Sequence, residues 1–134
     1  MESKTILDTR ICRVEQIGKQ FVSFNFKGNT DHNVEEVGNF ISSVIELMNH
    51  KPFVVYNDLR NNYGGISKEI REFIGSHPGL IKYKHAEALM INSLGIRLQV
   101  NFYLQFNVEK MKYKVFSSEE KAMKWLLDRQ EEIL

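Results

Sequence analysis

Lys51-Pro52-Phe53-Val54-Val55-Tyr56-Asn57-Asp58 is the stretch whose reading decides the fold. Pro52 cannot continue a helix, and Asn57-Asp58 closes the run, so residues 53–56 are a short apolar segment bounded by breakers. A run without polar alternation is what a strand covered on both faces looks like, and such strands sit at the centre of α/β sheets. On either side of it the apolar period changes to that of helices. Upstream, Val34, Val37, Ile41, Val44, Ile45 and Met48 recur at three- and four-residue steps, with Asn33 as N-cap and Glu36 three residues later. Downstream, the turn Asn61-Asn62-Tyr63-Gly64-Gly65 leads into a second helical stripe, Ile66, Ile70, Phe73 and Ile74, which stops near Gly75 or just before Pro78.

Farther out, residues 21–26 alternate, with Val22, Phe24 and Phe26 on one side and Phe21, Ser23 and Asn25 on the other, a strand signature. Gly18-Lys19-Gln20 is a tight connection that pairs this strand with residues 10–16 as an antiparallel hairpin. Ala88-Leu89-Met90-Ile91 and Tyr113-Lys114-Val115-Phe116 read as two more strands. Between them, residues 95–106 satisfy both periods. Ile96, Leu98, Val100, Phe102, Leu104 and Phe106 alternate, yet Leu94, Leu98 and Phe102 also form a helical stripe. Helix is the reading that preserves the alternation of strand and helix. The last helix opens on a capping box from Ser117 to Glu120 and lays Ala122, Trp125, Leu126 and Arg129 along one face, with Trp125 at least partly buried on the sheet. The expectation is one α/β domain over residues 1–134: a mixed sheet of about five strands with an N-terminal hairpin. About four helices, near 33–49, 66–76, 94–106 and 118–131, pack on it.

Composition agrees with that size and class. The 134 residues are 43% hydrophobic and 26% charged, with neither repeat nor biased segment. Eighteen basic and seventeen acidic side chains leave a net charge of +1, without the basic excess that nucleic acid or an acidic membrane surface would select. The single Cys12 can form no internal disulfide. With no apolar signal region at the N-terminus and no integral membrane segment in the sequence, a reducing, cytoplasmic setting is expected.

Three segments carry a family resemblance: Val55-Tyr56-Asn57-Asp58-Leu59, the stretch from Asn92-Ser93 to Phe106, and the ending Lys114-Val115-Phe116…Glu120-Lys121-Ala122-Met123-Lys124-Trp125-Leu126. Over nearly its whole length the chain resembles the SpoIIAA-like or STAS-like (STAS/SEC14-type) domains, small bacterial proteins of alternating α/β order. The resemblance implies a SpoIIAA-like fold and a non-enzymatic regulatory or interaction role. In anti-sigma factor antagonists of this family, a phosphorylatable serine in an Asp-Ser-Ser-Gly-Leu context opens the helix after the central strand. The helix N-terminus there stabilises phosphate charge. Here the matching segment is Asn62-Tyr63-Gly64-Gly65-Ile66, with Gly64 where the serine would be, and Ser67 lies about one turn too late. The kinship with SEC14-type domains implies the alternative of a carrier or sensor for a small apolar ligand such as a lipid.

No GxSxG, GxxxxGK[ST], HExxH or GxGxxG template occurs, and His32, His50, His77 and His85 lack metal-ligand spacing, so neither catalytic residues nor a metal or other cofactor are expected. Two candidate sites remain. The first is the polar turn at the carboxyl end of the central strand: Asp58, Arg60, Asn61, Asn62, Gly64, Gly65 and Ser67, placed where α/β sheets hold ligands or partners. The second is the other face of helix 94–106. If Leu94, Leu98 and Phe102 pack on the sheet, then Ile96, Val100 and Tyr103 need a homodimer partner, another protein or a ligand to cover them.

Overall fold

The computed structural model describes residues 3–27, 31–60, 67–95, 97, 98 and 112–134. Six strands form one sheet in chain order: β1 (Lys4–Asp8), β2 (Cys12–Gly18), β3 (Phe21–Phe26), β4 (Phe53–Asp58), β5 (Lys84–Met90) and β6 (Tyr113–Phe116). The first three pair antiparallel, and β3 to β6 run parallel. Helices α1 (Val34–Leu47), α2 (Lys68–Ser76) and α3 (Pro78–Tyr83) fill the first two crossovers, and α4 (Glu119–Glu131) follows the last strand. The chain is thus α/β with a mixed sheet and helices packed on it.

Parallel crossovers are right-handed, so strands laid down in chain order must keep every crossover on one face. The core divides accordingly. On the crossover face Val14, Val22, Phe24, Phe53 and Val55 meet Val37, Phe40, Ile41 and Val44 of α1, with Ile70 and Leu80 from α2 and α3. On the opposite face α4 covers Phe21, Val54, Tyr56, Ala88 and Met90 with Ala122 and Leu126. Trp125 stacks at 5.7 Å on Phe116 and is part-buried. Both sides of the run 53–55 are therefore covered, and Phe53, Val54 and Val55 are all 0% exposed.

Several details differ from the sequence reading. The sheet has six strands rather than about five. Lys4–Asp8 adds an edge strand whose Ile6 and Leu7 are only half-buried, so its alternation is too weak to read from pattern alone. Helix α3 was not expected after Pro78: proline occupies its first turn, a position it tolerates, and His77 caps it. The final helix is capped by Ser118, whose Oγ accepts from Lys121 N at 3.3 Å, one residue later than the Ser117 box. Asn33 caps α1 as its spacing requires, accepting from Glu36 N at 2.8 Å. Gly18 closes the hairpin because a Cβ there would come within 2.8 Å of Gln130 Oε1, the acceptor for Gln20 N.

Residues 94, 95, 97 and 98 are helical, with Arg97 N donating to Ser93 O at 3.0 Å; the remainder of the 94–106 stretch lies outside the described residues. Of the stripe expected to pack on the sheet, only Leu94 and Leu98 are among the described residues. Leu94 and Leu98 are 72% and 61% exposed and do not pack on the sheet.

The His77 cap makes stability depend on pH. Its Nδ1 accepts from Gly79 N at 3.0 Å and Leu80 N at 3.4 Å, which only the neutral ring can do. Burial holds His77 below the ordinary value of 6.5; burial, then Arg10, does the same at His32. With folded pKa values lowered, the unfolded chain takes up protons first. This contribution is complete above about pH 6.5 and is lost as pH falls from there through the lowered folded values. The urea midpoint should hold steady from about pH 8 to 7 and decline below about 6.5. In a His77→Asn variant, whose cap does not titrate, that decline should be smaller. An unchanged decline would remove His77 from the account.

Candidate functional site

The carboxyl end of β4 carries the described part of the polar turn. Asp58 closes the strand and Leu59 N donates to Met90 O at 2.8 Å, which ties the turn to β5. Arg60 folds back on Asp58 with a bidentate pair, Nε to Oδ1 at 2.9 Å and a terminal nitrogen to Oδ2 at 2.7 Å, while its backbone N donates to Oδ1 at 3.0 Å. The guanidinium holds the Asp58 carboxyl below the usual carboxylate range. Glu119, at the start of α4, stands 3.9 Å from the same guanidinium. An anion arriving here would have to displace Asp58, so the turn is not a ready phosphate cradle. Tyr56 lies beneath it, 4% exposed, with a buried hydroxyl that has no partner among the described residues. Burial, then the charges of Asp58 and Glu119, push that phenol up to about 12, so it stays protonated.

Ser67 stands at the N-cap of α2, where its Oγ accepts from Ile70 N at 3.3 Å. That contact accounts for a serine at the start of the helix by capping alone. Asn61, Asn62, Gly64 and Gly65 of the same turn, and Ile96, Val100 and Tyr103 of the second candidate face, lie outside the described residues.

A second polar constellation, which the sequence reading did not single out, is buried on the crossover face. Asn57 Nδ2 donates to Glu87 Oε2 at 3.0 Å, and Lys84 Nζ donates to Glu87 Oε1 at 2.8 Å and to Tyr113 Oη at 2.6 Å. The network therefore crosses β4, β5 and β6. The side chains of Lys84 and Glu87 are only 5% and 7% exposed. The carboxylate can only accept, so the Asn57 amide must present its nitrogen to it, and the Asn57 Oδ1 is left buried without a partner among the described residues. Asn57, Lys84 and Glu87 border a cavity of about 60 Å³ whose other walls include Phe24, Phe40, Val44 and Leu80. The only sequence signal for it is two ionisable residues in a segment that otherwise reads as apolar strand, His85 aside.

Cys12 is 0% exposed, and burial pushes its thiol up to about 12. A thiol reagent added to folded protein should label it no faster than the protein opens, and denaturant should release stoichiometric reaction. Rapid labelling of the native protein would contradict this burial. Among the described residues no three His, Cys, Asp or Glu side chains come together as metal ligands, and no helix is long and apolar enough to cross a membrane.

A family model, that of a domain of unknown function (DUF7793), matches residues 16–130. Neither the curated proteins nor the solved structures offer a match.

Proposed function

We propose that this chain, which belongs to the DUF7793 family, is a non-enzymatic cytoplasmic interaction module of regulatory type that works as a homodimer. In this reading it is built like the SpoIIAA-like, STAS-type anti-sigma factor antagonists but has no serine switch. The hairpin, mixed sheet and alternating helices are the arrangement that resemblance implies, and Gly64 stands in place of the phosphorylatable serine.

The observation that carries the proposal is the exposed pair Leu94 and Leu98. They are four residues apart on one helical face, 72% and 61% exposed, just beyond the carboxyl end of β5. Each large aliphatic side chain removed from water contributes about 1.5–3 kcal/mol, so the pair can serve as the centre of an apolar interface. A second copy is the partner that fits. Most soluble oligomers are two-fold symmetric around one self-complementary patch, and a net charge of +1 sets up little repulsion between copies.

Sedimentation tests this. The unmodified chain should run as a dimer at concentrations of roughly 100 μM, and Leu94→Glu with Leu98→Glu should give a folded monomer of unchanged circular dichroism. A monomeric unmodified chain at that concentration, or a doubly substituted chain that remains dimeric, would defeat the proposal.

A further inference from the structure

We infer that the cavity above Asn57, Lys84 and Glu87 is a binding site for the head of a small neutral amphiphile, one bearing a hydroxyl or primary amide on a short aliphatic body. This inference is independent of the dimer reading, because the cavity lies inside one chain between the sheet and the helices of the crossover face.

Three observations carry it. The first is the ion pair itself. A buried pair such as Lys84–Glu87 contributes little net stability compared with well-packed apolar residues, so stability alone does not account for its position in the centre of a sheet. The second is the space. Cores rarely leave voids larger than a water, and a volume of about 60 Å³ against three polar side chains is several times what one water requires. The third is unused bonding capacity. Lys84 has three N–H donors with two acceptors among the described residues, Glu87 Oε1 and Tyr113 Oη, in reach, whereas the unpartnered Asn57 Oδ1 is fully covered by protein atoms.

These features define the ligand. The charges of Lys84 and Glu87 already balance, so a carboxylate entering the cavity would meet Glu87 at close range and a cation would meet Lys84. A neutral hydroxyl or amide oxygen can accept the remaining Lys84 N–H without bringing a charge beside the Lys84–Glu87 pair. The helix side of the cavity, with Phe40, Ile41, Val44 and Leu80, suits an apolar body. Phe26 and Ile74, the part-buried members of the lining, form the rim through which a longer tail would leave. A hydrocarbon chain entering end first would instead place its apolar tip on the polar floor, so the geometry favours head-first entry.

The experiment is an amide-shift titration of the labelled full chain with 1-propanol, propionamide and propionate. The first two should shift Phe24, Asn57 and Glu87 saturably, with dissociation constants on the order of millimolar for so few atoms, and propionate should bind at least about tenfold more weakly. Val44→Ile adds a methylene to the wall and should abolish saturation while leaving the unfolding transition in place. Val37→Ile serves the same purpose if the first variant does not fold. Shifts that stay linear with concentration, or that persist unchanged in the filled variant, would show a cavity that holds water only. Propionate binding as tightly as propionamide would overturn the neutral-head assignment.

Discussion

Lys84→Met should cost about 3–5 kcal/mol of folding stability, because it leaves the Glu87 carboxylate uncompensated where its side chain is 7% exposed. In a chain of 134 residues that is a fall of roughly 11–18 °C in Tm. The size of the effect belongs to the orphaned charge rather than to the attraction lost. Glu87→Leu should likewise destabilise by stranding the ammonium, while the double variant Lys84→Met with Glu87→Leu should recover most of the loss. It will not recover all of it, since Asn57 Nδ2 and Tyr113 Oη would each lose a partner from the network. Urea unfolding of the four proteins forms the cycle, and because the double variant should cost less than either single one, the coupling between the two sites should exceed the larger single effect of about 3–5 kcal/mol. Additive single effects would show that water or a neighbouring group already compensates each charge.

Leu126→Ala should be comparably damaging, at about 2–5 kcal/mol, for a different reason. Leu126 is 0% exposed and belongs to the cluster through which α4 covers β3, β4 and β5. Truncation removes transfer free energy and leaves a cavity that a regular helix on a regular sheet cannot collapse into. Leu98→Ala is the control: the residue is of the same type, but at 61% exposure it should change monomer stability by no more than about 0.5 kcal/mol. If both substitutions cost the same, α4 is not docked as described.

The candidate sites were legible to different degrees. The polar turn was recognisable because it follows an apolar strand in sequence, and its described members are in place: Asp58 ends β4 and Ser67 caps α2. The pairing of Arg60 with Asp58 was not legible, although the residues are two apart, because it depends on the backbone doubling back after the strand. Residues 94, 95, 97 and 98 are helical, as the three- and four-residue period predicts, but Leu94 and Leu98 are exposed rather than packed on the sheet. Both faces of that segment are apolar, and periodicity cannot say which of two equivalent stripes meets the sheet.

The sequence by itself determined the type and order of the elements other than β1 and α3. The run 53–56, the three- and four-residue steps of α1 and α4 and the alternation of β3 are local patterns, and apolar burial forces each into one conformation. Only the tertiary structure decided the buried network. Lys84 and Glu87 are three residues apart, and in a regular strand they would point to opposite faces. Against β4, Phe53 pairs with Lys84 but Val54 pairs with Ala86, so one residue is extra on β5 and the alternation is reset there. His85, at that bulge, reaches Glu132 beyond the end of α4, while Lys84 and Glu87 come to the same side and meet Asn57 from the next strand. A bulge is a property of two strands in register. The partner strand lies some thirty residues away, so no pattern within β5 alone encodes it.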